Sequence, residues 1–252
     1  GVGKTTVSVL LSHLFVQDNK KVYLIDADPD GNTGFNLGLS SSELSKIIPL
    51  AELKDLIEER TESKGGQGGC FKLNPRVDDI PDKYSVEKDG VRLLVMGTVN
   101  KGGSGCLCPE NTFLKTMLQH MLVNRDECVI IDMAAGIEHF GRGTIQHVNS
   151  MVIVVEPTAR SIHSSEKILV LAKDLGIKKT CVVGNKIASD QDIQFIKNNI
   201  NPSQKFIGHV PYNEKIIESE RETMPIYSPA IFDSLKPYLI EIKNNLVGQV
   251  NR

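Results

Sequence analysis

No apolar run in the 252 residues approaches the roughly 20 that a spanning helix needs, and no secretory leader pattern is visible, so a membrane-embedded or exported protein is not expected. Charge of one sign is also lacking. The 29 basic and 31 acidic side chains leave a net charge of -2, too even a balance to hold nucleic acid or an anionic membrane through a global field. Five cysteines, an odd number in a chain this large, make no disulfide framework, and a reducing cytoplasm is the expected compartment. The six histidines are isolated, with no His-x-His or His-x₃-His pair, and none is a ligand candidate. Internal repeats are absent, and the single low-complexity tract is the glycine cluster Lys64-Gly65-Gly66-Gln67-Gly68-Gly69.

With 40% hydrophobic residues, the chain can bury the core of one large α/β domain over 1–252. Short β-prone runs at 21–26, 91–96, 128–132, 151–155, 180–184 and 205–208 alternate with helical patterns at 111–122, 161–175 and 190–199. Helical periodicity also covers 42–60, and 230–247 reads as a closing helix. Between 61 and 90 the periodicity fails amid glycines, prolines and charges, which predicts an insertion loop. Strands alternating with helices predict a doubly wound, mainly parallel sheet flanked by helices, with ligands collected at the strands' carboxyl ends.

The chemistry begins at Gly1-Val2-Gly3-Lys4-Thr5-Thr6. These residues match the closing part of G-x-x-x-x-G-K-[ST], a loop whose backbone N–H groups and lysine surround phosphates. Its first glycine, and the first strand that feeds such a loop, would lie upstream of Gly1. Val7, Val9, Leu10, Leu11 and Leu14 follow at helical spacing, so the loop opens a helix whose N-terminus favours an anion. Three further segments fall at predicted strand ends. Asp26-Ala27-Asp28-Pro29-Asp30-Gly31-Asn32 sets carboxylates where only a cation or an oriented water would let them face phosphate. Val129-Ile130-Ile131-Asp132 is an apolar run ending in acid, the Walker-B arrangement that holds Mg²⁺, and Gly136 beyond it lets a backbone N–H approach the terminal phosphate. Val182-Val183-Gly184-Asn185-Lys186 offers an amide able to donate to and accept from a purine edge.

In this order the segments resemble the MinD/ParA-like deviant-Walker P-loop ATPases, which include the nitrogenase iron protein. The likeness runs through Gly-Val-Gly-Lys-Thr-Thr, the aspartate segments, Val-Gly-Asn-Lys, and Val-Pro-Tyr-Asn-Glu-Lys around Pro211. It implies that residues 1–6 bind ATP, with Lys4 and Thr5 holding phosphate and Mg²⁺. It further implies that Asp28 positions or activates the attacking water, that Asp132 supports the metal, and that Asn185, Lys186 and Pro211 receive adenine. A nucleotide-sandwich homodimer is implied too, as is a signature lysine two positions before Gly1.

Gly105-Cys106-Leu107-Cys108-Pro109-Glu110-Asn111 adds a sharper feature. Pro109 suits a first helical turn, which sets both sulfurs near a helix N-terminus where positive potential favours thiolates. Two thiolates half-fill a tetrahedral site, and a twofold-related copy would complete a Cys₄ centre. Cys128 and Cys181 lie within apolar strand runs and read as core, whereas Cys70 sits alone among glycines. The Cys106–Asn111 segment, Phe71–Asp82 and Met133–Thr144 together resemble the CooC-type accessory ATPases of carbon monoxide dehydrogenase. That resemblance implies an ATP-driven metallochaperone whose Cys106 and Cys108 bind Ni²⁺, or Zn²⁺ at the same site, and whose client is the apo-dehydrogenase. An electron-transfer ATPase with a bridging Fe–S cluster is one alternative, but the stretch Asp132–His139 offers no cysteine for it. The other is a polymerising positioning ATPase, for which the two lysines and one glutamate of Lys236–Lys243 make a poor membrane or DNA surface.

Overall fold

The computed structural model describes residues 1–28, 31–63, 71–97, 109–123, 127–134, 148–222 and 224–250. The chain opens with α1 (Lys4–Gln17), β1 (Lys21–Ala27), and two single-turn helices, α2 (Thr33–Asn36) and α3 (Ser41–Leu44). After a 3₁₀ turn at Leu50–Glu52 come α4 (Lys54–Thr61), α5 (Ile80–Tyr84), β2 (Val86–Lys88), β3 (Val91–Val95), α6 (Pro109–Val123) and β4 (Glu127–Met133). The second half runs β5 (Met151–Val155), α7 (Ala159–Asp174), β6 (Thr180–Ile187), α8 (Asp190–Asn199), β7 (Lys205–Pro211), α9 (Glu214–Glu222) and α10 (Pro229–Val250).

Among the described residues the strands form two sheets, ordered β2-β3-β1-β4 and β5-β6-β7. All pairings are parallel except the β2–β3 hairpin. Strands buried on both faces lose the polar alternation of a half-exposed sheet, and Val22–Asp26 is accordingly buried at every position. Successive side chains feed opposite faces. Leu24, Leu93, Cys181 and Val183 enter one core with α1 and α10, while Tyr23, Ile25 and Leu94 enter a second with α4 and α6. Val182, Ile162 of α7 and Ile196 of α8 make a third on the far face of the second sheet. Helices on both faces of mainly parallel sheets are the doubly wound α/β arrangement expected from the alternating pattern. Helix α1 packs on β1, β4 and α10, which explains why its apolar residues spread around most of its circumference.

Two readings of the sequence need correction. The periodic stretch 42–60 is not one helix: α3 stops at Leu44 and α4 starts at Lys54. Pro49 lacks a backbone N–H and biases Ile48 away from helical geometry, so the chain breaks there. The stretch 61–90 is not a loop throughout. Val77 and Ile80 are buried in the second core, α5 follows directly, and the chain then enters the β2–β3 hairpin. Asp89 and Gly90 join Lys88 to Val91 with φ of 48° and 83°, the two positive values a two-residue hairpin turn of type I′ requires. Arg60 closes the segment from outside, donating to both carboxylate oxygens of Asp79 at 3.0 and 2.8 Å and to the Arg76 carbonyl at 3.0 Å. Glycine and charge content hid these contacts because the anchoring residues are few and widely spaced.

Candidate nucleotide site

The carboxyl ends of β1, β4 and β6 and the N-terminus of α1 gather most of the residues singled out in the sequence. Gly3 caps α1 in the left-handed region, φ 84°, and its carbonyl accepts the first helical hydrogen bond, from Val7 at 3.1 Å. Only glycine takes that conformation without strain. Lys4 and Thr5 therefore sit in the first turn of α1, where N–H groups without helical partners favour an anion.

Parallel registry brings the two strand-terminal acids side by side: Asp26 of β1 pairs directly with Asp132 of β4. Each is only 2% exposed. Thr33 ties them together, its N–H donating to Asp26 Oδ2 and its hydroxyl to Asp132 Oδ2, both at 3.3 Å. Ser8 donates to Asp132 Oδ1 at 3.4 Å, Thr5 adds a side-chain hydrogen bond, and the Asp28 N–H reaches Asp26 Oδ1 at 3.2 Å. Burial pushes the Asp132 carboxyl above the ordinary aspartate range. The Thr5 and Thr33 hydroxyls and the Lys4 ammonium oppose that shift, and the charge of Asp28 adds to it. Burial likewise raises Asp26, with Asp132 as the repelling neighbour. Two desolvated carboxylates flanked by threonine hydroxyls form a hard, all-oxygen donor set, which suits Mg²⁺ and not a soft metal.

The other side of the loop is held from β6. Asn185, 4% exposed, donates its amide Nδ2 to the Val2 carbonyl at 2.9 Å. Lys186 donates to the Gly1 carbonyl at 3.0 Å and pairs with Glu156 at 2.5 Å. Pro211 closes β7 opposite Ile187, and the Tyr212 N–H bonds the Ile187 carbonyl at 2.9 Å, so the Pro211 segment lies beside the Asn185–Lys186 pair.

Gly1, Val2, Gly3, Lys4, Thr5, Asp28, Asp132, Asn185, Lys186 and Pro211 thus converge from five separate segments of the chain. Thr6 is turned inward and buried. Gly136, Cys106 and Cys108 lie outside the described residues. Pro109 is the first residue of α6, as its chemistry suggested. Among the described residues no group of three or more His, Cys, Asp or Glu side chains could hold a metal ion, and no helix is long and apolar enough to cross a membrane.

The sequence marks Asp26 only as the acid that ends its strand and opens the carboxylate segment, and it assigns nothing to Ser8, Thr33 or Glu156. A signal for Glu156 was present as well. Tyr23-Leu24-Ile25-Asp26 and Val152-Ile153-Val154-Val155-Glu156 end an apolar run with an acid in the same way as the run ending at Asp132. Ser8 and Thr33 carry no such mark, because only folding sets a hydroxyl beside a carboxylate 124 or 99 residues away.

Comparison with known proteins identifies the family and the fold. Residues 1–226 match the family described as CobQ/CobB/MinD/ParA nucleotide binding domain. The carbon monoxide dehydrogenase accessory protein CooC of Rhodospirillum rubrum is 44% identical over 235 residues, covering 92% of this chain and 89% of that protein. An ATP-binding protein of Methanocaldococcus jannaschii is 41% identical over 251 residues, covering 97% and 96%. Among solved structures, the MinD cell division protein of Aquifex aeolicus superposes with a TM-score of 0.66 over 98% of this chain and 93% of that one, at 20% identity. A ParA family ATPase from Chlorobium tepidum gives 0.66 over 98% and 94%, at 16% identity. At those identities the structures speak for the fold alone. With its phosphate loop, paired strand-end aspartates and sequence likeness in agreement, the chain belongs to the CobQ/CobB/MinD/ParA nucleotide-binding family, within it to the CooC-type proteins, and is an ATPase.

Proposed function

We propose that this ATPase assists the maturation of carbon monoxide dehydrogenase, carrying nickel to the apo-enzyme on cysteines shared between two copies of the chain. The observation that carries the reading is the 44% identity to CooC across 92% of the chain, a level at which the nucleotide motifs alone cannot account for the match. In this reading the N–H groups around Gly3 and the Lys4 ammonium hold the ATP phosphates. Asp28, whose backbone is fixed through Asp26, orients the attacking water, and Asp132 with Thr5 supplies the oxygen ligands for Mg²⁺. Magnesium, when bound, neutralises charge on the phosphate oxygens. Gly136 contributes a backbone donor to the terminal phosphate, and Asn185, Lys186 and Pro211 border the base. The residues 1–252 act as one domain.

In the sequence Cys106 and Cys108 stand three and one positions before Pro109, the first residue of α6, and a helix N-terminus favours thiolates over thiols. Two such pairs complete a four-sulfur site that suits Ni²⁺ or Zn²⁺. For ATP to drive delivery, the open and closed dimers must hold the ion with different affinity. The test replaces both Cys106 and Cys108 with serine. Ni²⁺ content should fall from about one ion per two chains to background, the fourfold coordination being lost, while ATP binding persists. Unchanged Ni²⁺ stoichiometry would remove the metal-carrier reading and leave the ATPase.

A further inference from the structure

We propose that Asn185 and Lys186 are positioning residues for the phosphate loop, holding its backbone carbonyls so that its N–H groups stay aimed at the phosphates; this rests on the nucleotide reading of the site. The first support is a β-bulge. Along the β6–β7 pairing Gly184 stands opposite His209 and Ile187 opposite Pro211, so two residues of β6, Asn185 and Lys186, face one of β7. A bulge beside a functional site re-aims side chains that regular pleating would send elsewhere. Lys186 also has φ 59°, a left-handed conformation that lysine adopts only where its surroundings hold it there.

Both re-aimed side chains end on consecutive carbonyls of the loop. Asn185 Nδ2 donates to Val2 and Lys186 Nζ to Gly1, and Glu156 pins the lysine from β5's end. A carbonyl accepts and cannot donate, so the amide must present its NH₂ group to Val2. The approach is close enough that a Cβ on Gly3 would lie 2.1 Å from Asn185 Nδ2. The loop's last glycine is therefore required by the Asn185 amide packed over it as well as by its own left-handed backbone.

Calorimetric titration of the full chain with Mg-ATP, Mg-ITP and Mg-tripolyphosphate separates the roles. Tripolyphosphate has no base, and ITP lacks the 6-amino group an adenine reader would use. Asn185→Ala should weaken all three in parallel, by about tenfold each, the usual cost of leaving a buried carbonyl without its donor. The ATP to ITP ratio and the binding stoichiometry should not change; a merely misfolded fraction would lower stoichiometry instead. Lys186→Ala, at a side chain half open to solvent, should give a smaller parallel loss and keeps the proposal testable if the buried substitution prevents folding. If tripolyphosphate affinity is retained in both variants while the ATP to ITP ratio collapses in Asn185→Ala, Asn185 reads the base and the proposal is overturned. If the unaltered protein binds none of the three, the nucleotide reading itself fails.

Discussion

Gly3→Ala should be far more damaging in the native background than in one that already carries Asn185→Ala. Two costs act on the single substitution. An alanine at φ 84° sits in the left-handed region, worth about 1–2 kcal/mol against it. Its Cβ would also fall 2.1 Å from Asn185 Nδ2, far inside contact distance, so the amide must swing away and strand the Val2 carbonyl, a further loss of about 1–3 kcal/mol. Once Asn185 is alanine the second cost has already been incurred, and only the backbone strain remains. A chain of this size shifts its melting midpoint by about 2–4 °C per kcal/mol. Gly3→Ala should then lower the midpoint by on the order of 10 °C in the native background but about 4 °C in the Asn185→Ala background, as measured by thermal denaturation without nucleotide. The coupling of about 1–3 kcal/mol is the diagnostic quantity. Equal decrements in both backgrounds would refute the claim that Asn185 is what crowds position 3.

Two further outcomes follow from the buried groups. Because Asp26 and Asp132 are held above the ordinary aspartate range, the folded chain binds more protons than the unfolded one between the ordinary and the raised values; stability of the nucleotide-free protein therefore declines as pH rises from about 4 through that window. Asp132→Asn should raise the melting midpoint at pH 7, the gain shrinking toward pH 4, and abolish Mg²⁺-dependent ATP hydrolysis; a lower midpoint at pH 7 would show that the carboxylate's hydrogen bonds outweigh its desolvation. Burial pushes the Cys128 thiol up to about 11 and that of Cys181 up to about 12, so both should resist brief alkylation at pH 7.5, leaving at most three of the five cysteines labelled by mass spectrometry.

Local pattern carried much of the protein's organisation. Strands at 151–155 and helices at 190–199 follow directly from apolar runs and from caps such as Ser189, whose side chain accepts from the Asp192 N–H. The Gly3-Lys4-Thr5 turn and the acid at the end of β4 could be read because each is a short run of neighbours whose meaning survives without a partner. Elsewhere the same logic failed: a periodic stretch gave way at Pro49, and a charged, glycine-rich one hid Val77 and Ile80 in the core.

What the sequence determined by itself was the family of phosphate-binding folds and the side of the sheet on which chemistry takes place, since these rest on residues adjacent along the chain. Tertiary structure alone decided that Asp26 meets Asp132, that Thr33 bridges them, and that Asn185 and Lys186 grip the carbonyls of Val2 and Gly1. Apart from the bond between Thr33 and Asp26, those contacts join residues separated by about one hundred positions or more, and strand register together with one extra residue in β6 brings them together; nothing in a local window records either.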